Sequence, residues 1–115
     1  MAWDVILLEE VDEWFCTLDS DTGSTVAGAI DYLEANGPAT GRPMVDTVKG
    51  SKLHHLKELR PSGTSIRILF IFDPARRAVL LLAGDKAGRW KKWYDDNIPV
   101  AEVRYQRWVR ESGGE

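Results

Sequence analysis

Residues Leu56 to Ala83 read LKELRPSGTSIRILFIFDPARRAVLLLA. Three apolar runs, Leu56 to Arg60, Ser65 to Phe72 and Arg77 to Ala83, are separated by Pro61-Ser62-Gly63-Thr64 and Asp73-Pro74-Ala75-Arg76. Branched and aromatic runs of strand length, bounded by proline, glycine and aspartate, predict an antiparallel meander closed by two four-residue turns. Closing both hairpins there sets the faces, because register decides which side every residue takes. Arg60 then opposes Ser65, Glu58 opposes Arg67 and Leu56 opposes Leu69. In the second hairpin Phe72 opposes Arg77, Phe70 opposes Val79 and Ile68 opposes Leu81. Leu59, Ile66, Ile68, Phe70, Phe72, Val79 and Leu81 share the face expected to meet helices; Glu58, Arg60 and Arg67 share the other.

Upstream, Trp3 to Leu8 has the content of a short first strand. Glu9 to Leu18 places Val11, Trp14, Phe15 and Leu18 at helical spacing, with acids crowding the first turn, where they suit the positive end of the dipole. Asp19 to Gly23 reads as a turn before a second helix carrying Val26, Ile30 and Leu33. Asn36-Gly37-Pro38 stops that helix. Ala39 to Ser51 is a loop with room for a short strand near Met44 to Val48. Downstream, Gly84 to Gly88 leads into Arg89-Trp90-Lys91-Lys92-Trp93-Tyr94, and Pro99 is expected to start a last helix ending near Arg110. The order is β-α-α-β-β-β-α: a small single α+β domain over residues 1–111, its antiparallel sheet covered by helices on one face, with a flexible tail at 112–115.

The chain has 115 residues and a net charge of −3, which conceals strong polarisation. Residues 1–40 hold nine acids and no lysine or arginine, whereas residues 41–92 hold twelve lysines and arginines against four acids. A basic middle segment suits a phosphate or nucleic-acid surface, unless folding interleaves the two halves and they neutralise each other. The acidic start lacks a secretory signal pattern, and no apolar run is long enough to span a bilayer. The lone Cys16 has no partner for a disulfide or a CxxC zinc pair and falls in a helical apolar pattern, so it reads as packing. A cytoplasmic location, no membrane, no cofactor and no metal are expected.

Three constellations could carry chemistry. Arg60 and Arg67, on adjacent strands, could hold a phosphate through two guanidinium groups; the competing reading is a Glu58–Arg67 ion pair on a solvated face. Arg89, Lys91 and Lys92, interleaved with Trp90, Trp93 and Tyr94, suit a nucleic-acid strand, phosphates on the cations and bases on the rings. The alternative is an amphipathic turn with buried tryptophan and solvated lysines. Lys49, Lys52, His54 and His55 form the third, in which His54 would share the parity of Arg60 and could move a proton near neutral pH. A phosphate loop, a GxSxG elbow and HExxH are all absent.

Gly41-Arg42-Pro43, Leu56 to Arg60, Ile66 to Phe72 and Leu80 to Leu82, with Lys86 after the third strand and Ile98-Pro99-Val100-Ala101 in the last helix, resemble the RelE/ParE toxin superfamily. The likeness is greatest to its HigB-like, phage Gp49-like branch and covers roughly residues 3–108. That resemblance implies a bacterial cytoplasmic toxin neutralised by a cognate antitoxin of the helix-turn-helix DNA-binding kind. It implies ribosome-dependent endoribonuclease activity on mRNA without a metal: the ribose 2′-OH attacks the adjacent phosphate. Carried onto this chain, Arg60 and Arg67 would clamp the phosphate and Lys86 would stabilise charge. His54 or Lys52 would be a base, with Tyr94 or Arg89 near the leaving group and Lys49, Lys52, Arg89, Lys91 and Lys92 contacting RNA. Two alternatives stand beside it, a ParE-like inhibitor that binds a topoisomerase and a catalytically inactive interaction module.

Overall fold

The computed structural model describes residues 2–112. The chain runs β1 (Asp4–Leu7), α1 (Glu9–Cys16), α2 (Ser20–Asn36), a 3-10 turn (Gly37–Ala39), β2 (Val45–Thr47), β3 (Lys57–Leu59), β4 (Ile66–Asp73), β5 (Arg77–Asp85) and α3 (Trp90–Ser112). The expected α+β domain is present, including the short strand before the meander. The expected tail begins at Ser112, which closes α3; residues 113–115 lie outside the described residues.

Two features depart from the sequence reading. The sheet is mixed, in the order β1-β5-β4-β3-β2, because β1 pairs parallel to β5 while the other pairs are antiparallel. Helices also cover both faces. Val11, Val26, Ala29 and Leu33 from α1 and α2 pack on Leu59, Ile66, Ile68, Phe70, Ala78 and Leu80. Trp93, Ile98 and Ala101 from α3 pack on Leu56, Leu69, Ile71, Val79, Leu81 and Leu82. A central strand buried on both sides has no need of a polar face, which is why β4 and β5 read as nearly unbroken apolar runs.

The hairpin between β4 and β5 explains why Val79 and Leu81 change sides. Asp73 pairs with Arg77, Phe72 with Ala78 and Phe70 with Leu80, so the loop has three residues rather than four. Arg76 takes a left-handed φ of 63°, as a three-residue hairpin requires. A one-residue slip of this kind turns every β5 side chain over. An irregularity at Leu69/Phe70 then skips Leu81, and beyond it Arg67 faces Gly84. In the first hairpin Glu58 pairs with Leu69 and Leu59 with Ile68, a shift of two that keeps Glu58, Arg60 and Arg67 on one face. That face is the one α3 covers.

Asp19 is the N-cap of α2, its carboxylate accepting from the Thr22 amide at 2.7 Å, so the expected turn is the helix start. At the far end Gly37 adopts φ 53°, and a Cβ there would collide with the Trp3 indole. Pro99 lies inside α3 rather than at its start. An interior proline costs a helix ~3 kcal/mol, offset here by Trp93 and Ile98 before it and Ala101 after it, all buried on the sheet. Cys16 is exposed in the last turn of α1, not packed. Among the described residues no helix is long and apolar enough to cross a membrane.

Glu10 on α1 accepts two bonds from Arg107 on α3, at 2.6 and 2.9 Å. The hydrogen bonds from Arg107 hold its carboxyl down at about 2, against an ordinary 4.5. Because the folded-state value is the lower one, the pair stabilises the fold above pH 4.5 and that contribution is lost as pH falls toward 2. Glu10→Gln is expected to lower Tm at neutral pH by a few degrees, about 1 kcal/mol for a partly exposed pair. The deficit should vanish near pH 2, which a Tm series across that range checks.

Candidate functional site

Between the exposed edge of the β3–β5 surface and the first turns of α3 lies an open cleft of about 860 Å3. Its walls carry Lys49 and Lys52 from the β2–β3 loop, Glu58 and Arg60 from β3 and its end, Lys86 after β5, and Lys91, Tyr94 and Glu102 from α3. Gly84 makes the close approach possible: a Cβ there would meet the Trp93 indole nitrogen at 3.0 Å, so a larger residue would push α3 off the sheet. Glu102 fixes the basic loop, taking the Ser51 hydroxyl at 2.8 Å and the Lys52 amide at 2.6 Å.

The centre of the cleft is organised by Glu58, only 3% exposed. One carboxylate oxygen accepts from Arg60 Nε at 2.9 Å and Nη2 at 2.6 Å, and the other accepts from the Tyr94 hydroxyl at 2.6 Å. Arg60 Nη2 also reaches Asp46 at 3.3 Å. Lys86 Nζ donates to the Tyr94 hydroxyl at 3.2 Å and lies over the Trp90 ring, 4.4 Å from its centroid. Burial pushes the Tyr94 hydroxyl up to about 12, reinforced by the Glu58 carboxylate, so it stays protonated. Burial, with Arg67 and Arg60 nearby, pushes the Lys86 ammonium below the usual lysine range, Glu58 opposing. A cation so placed gives up a proton more readily than an ordinary lysine.

Lys86 is 6% exposed and, among the described residues, makes no ion pair. Its charge is therefore a burden on the fold. Lys86→Met is expected to raise Tm at pH 7 by a few degrees, on the order of 1 kcal/mol. The sign with pH follows from the depressed folded-state value. As pH rises through that value toward 10.5 the unfolded chain binds more protons than the folded one, so wild type catches up and the gap narrows. Paired melting curves at pH 7 and in alkaline buffer check this.

Arg60, Lys86 and Tyr94 thus meet, with Lys49, Lys52 and Lys91 around them. Arg67 stands behind them; its Nη1 donates to the Ile66 carbonyl at 2.8 Å, while its buried Nε has no partner. His54 is not brought in. It sits in the exposed turn before β3, outside the strand whose parity placed it beside Arg60, and does not line the cleft. Arg89 and Lys92 also lie off the cleft. They pair with Asp96 at 2.8 and 3.3 Å, and Lys91 pairs with Asp95 at 3.0 Å. The basic-aromatic stretch therefore folds in its amphipathic form, with Trp93 buried and the cations held by acids of their own helix. Trp90 alone stays open, 64% exposed, at a strained φ of 21°. Glu58, at the centre of the cleft, was not among the site residues expected from the sequence; its position two residues before Arg60 on one strand face was the available signal.

The profile of the phage-derived Gp49-like protein family matches residues 13–106. The chain belongs to that family. It is 59% identical over 110 residues to toxin HigB3 of Mycobacterium tuberculosis, covering 96% of each chain. It is 50% identical over 101 residues to toxin HigB2 of the same organism, covering 85% of this chain but 50% of that one. Among solved structures, the archaeal RelE–RelB complex of Pyrococcus horikoshii aligns with a TM-score of 0.61 at 17% identity, over 77% of this chain and 99% of that one. A free mutant of Escherichia coli toxin RelE aligns at 0.63 and 10% identity, over 86% and 97%. These structures share the fold, and the chain is a RelE/HigB-like toxin.

Proposed function

We propose that this toxin is a ribosome-dependent endoribonuclease that cuts mRNA without a metal, using the cleft around Glu58. The observation that carries the reading is the convergence of Arg60, Lys86 and Tyr94 on one buried carboxylate inside an open, cation-walled cleft. Arg60 and Arg67 hold the scissile phosphate and stabilise the charge that grows on it. The ribose 2′-oxygen attacks phosphorus. Its proton passes to the Tyr94 oxygen as the Tyr94 proton moves along the 2.6 Å bond to Glu58. The bond from phosphorus to the 5′-oxygen breaks, and the Lys86 ammonium protonates the departing oxygen. The products are a 2′,3′-cyclic phosphate and a 5′-hydroxyl, and Glu58 and Lys86 are reset by proton exchange with solvent. Tyr94–Glu58 takes the basic role for which His54 and Lys52 were candidates.

The partners in this reading are the ribosome, its message and a cognate antitoxin of the helix-turn-helix kind in the bacterial cytoplasm; proteins of the same RelE fold crystallise in complexes with their antitoxins, which supports an antitoxin partner. Inducing the toxin in cells and mapping mRNA 5′ ends tests the proposal. Codon-phased new ends are expected. Intact message with altered plasmid supercoiling would favour a topoisomerase-binding inhibitor instead, and unimpaired growth an inactive interaction module.

A further inference from the structure

A second hollow, of about 480 Å3, opens at the end of the sheet where β3 runs into β4. It shares Arg60 with the main cleft and is otherwise separate, with Arg42, Arg67 and the Tyr32 ring of α2 around it and Pro43 and Pro61 supplying flat apolar surface. Its charge differs in kind from that of the cleft. Three carboxylates, Glu58, Asp95 and Glu102, line the cleft, whereas among the described residues none lines the hollow. Glu58 holds Arg60 from the cleft side at 2.6 and 2.9 Å, and Asp46 takes one nitrogen of Arg60 at 3.3 Å and stands 3.8 Å from Arg42 Nε. The buried Arg67 Nε, lacking a partner, is a donor kept out of water with nothing to bond. Among the described residues no carboxylate bonds Arg67, whose Nη1 donates to the Ile66 and Thr64 carbonyls at 2.8 and 3.4 Å.

Tyr32 points to what a ligand here carries besides charge. A tyrosine 51% exposed beside two prolines offers a face for a planar ring, and the volume lies in the range of small-ligand sites. We propose that this hollow is a nucleotide subsite: a phosphate sits on Arg42, with Arg60 and Arg67 at the border with the cleft, and the attached base lies against Tyr32 and the prolines. It rests on the RNA reading above, and places there the nucleotide adjoining the one in the cleft. Arg60, common to both walls, is where the strand passes from one to the other. The subsite makes the protein read part of its substrate by itself, without help from a second macromolecule.

The experiment is an NMR titration of the full chain alone, with inorganic phosphate, a ribonucleoside 5′-monophosphate and a single-stranded ribotetranucleotide as separate probes. The monophosphate is expected to move the Tyr32 ring and the Gly41 and Gly63 amides, and to bind at least about fivefold more tightly than inorganic phosphate, the low end of a base–aromatic stack. Tyr32→Ala should erase that margin, and Arg42→Ala should weaken all three probes. The tetranucleotide should also move the Lys49–Lys52 amides. Equal affinity for phosphate and nucleotide, shifts confined to the main cleft, or no shift with any probe overturns the subsite. Because no ribosome is present, the outcome is separable from the cleavage reading: uncut message with intact Tyr32 shifts removes the nuclease and keeps the subsite, while codon-phased cutting without those shifts does the reverse.

Discussion

Arg67→Ala is expected to abolish growth arrest and to slow message cleavage by about 10²–10³-fold, the usual loss when one preorganised donor to a developing charge is removed. The fold should survive. Arg67 is bonded to the Ile66 carbonyl at 2.8 Å and to no carboxylate among the described residues, so its removal costs on the order of 1 kcal/mol. Arg67→Lys should recover little activity, since an ammonium cannot present two parallel donors to a phosphate. Growth curves, single-turnover cleavage and a melting curve on the same variants check this. Full-strength arrest by the alanine variant would remove the phosphate clamp.

Glu58→Ala is expected to be the most destabilising single change in the cleft. It leaves Arg60 and Tyr94 without the carboxylate that holds both at bonding distance. Arg60 is a third exposed and keeps Asp46 at 3.3 Å, so the cost falls below that of breaking a fully buried pair, at about 2–3 kcal/mol, which for a domain of this size lowers Tm by roughly 8–12 °C. Glu58→Gln separates structure from chemistry, because an amide oxygen can still accept one of those bonds but cannot take a proton. It should melt closer to wild type and yet cut at least about 100-fold more slowly, the contribution expected of a general base. A Gln variant that folds and cuts at the wild-type rate would exclude Glu58 from the proton path.

How much of this was written in the chain depends on the element. The meander from Leu56 to Ala83 was legible because three strand-length runs lay between strong turn residues, and the stop at Asn36-Gly37-Pro38 followed from backbone freedom. The register of the second hairpin was not. Whether Arg76 belongs to a four-residue loop or takes a left-handed φ in a three-residue one is decided by packing, and that one residue sent Val79 and Leu81 to the α3 side. Yet Leu80-Leu81-Leu82 left β5 no polar face, which already implied helices on both sides of the sheet. Pro99 misled in the same way, since its local preference for a helix start yields to the apolar residues on either side that bury against β5. In the site, Arg60 and Arg67 survived a two-residue register shift because a shift of two preserves the face. His54 did not stay beside them, because the strand whose parity placed it begins only at Lys57. Lys91 and Lys92 found their acids one helical turn on, at Asp95 and Asp96, and Arg89 reached Asp96 two turns on, pairings that spacing permitted but charge counting alone did not reveal.

The most direct measurement is the chemistry of the ends. Purified toxin, programmed ribosomes and an end-labelled message would be combined with chelator present, and the products analysed for their termini. A single cut in the decoding site is expected, with a 2′,3′-cyclic phosphate upstream and a 5′-hydroxyl downstream, and no cutting when Lys86→Met replaces the wild type. Intact message, or fragments carrying a 5′-phosphate, would contradict that expectation.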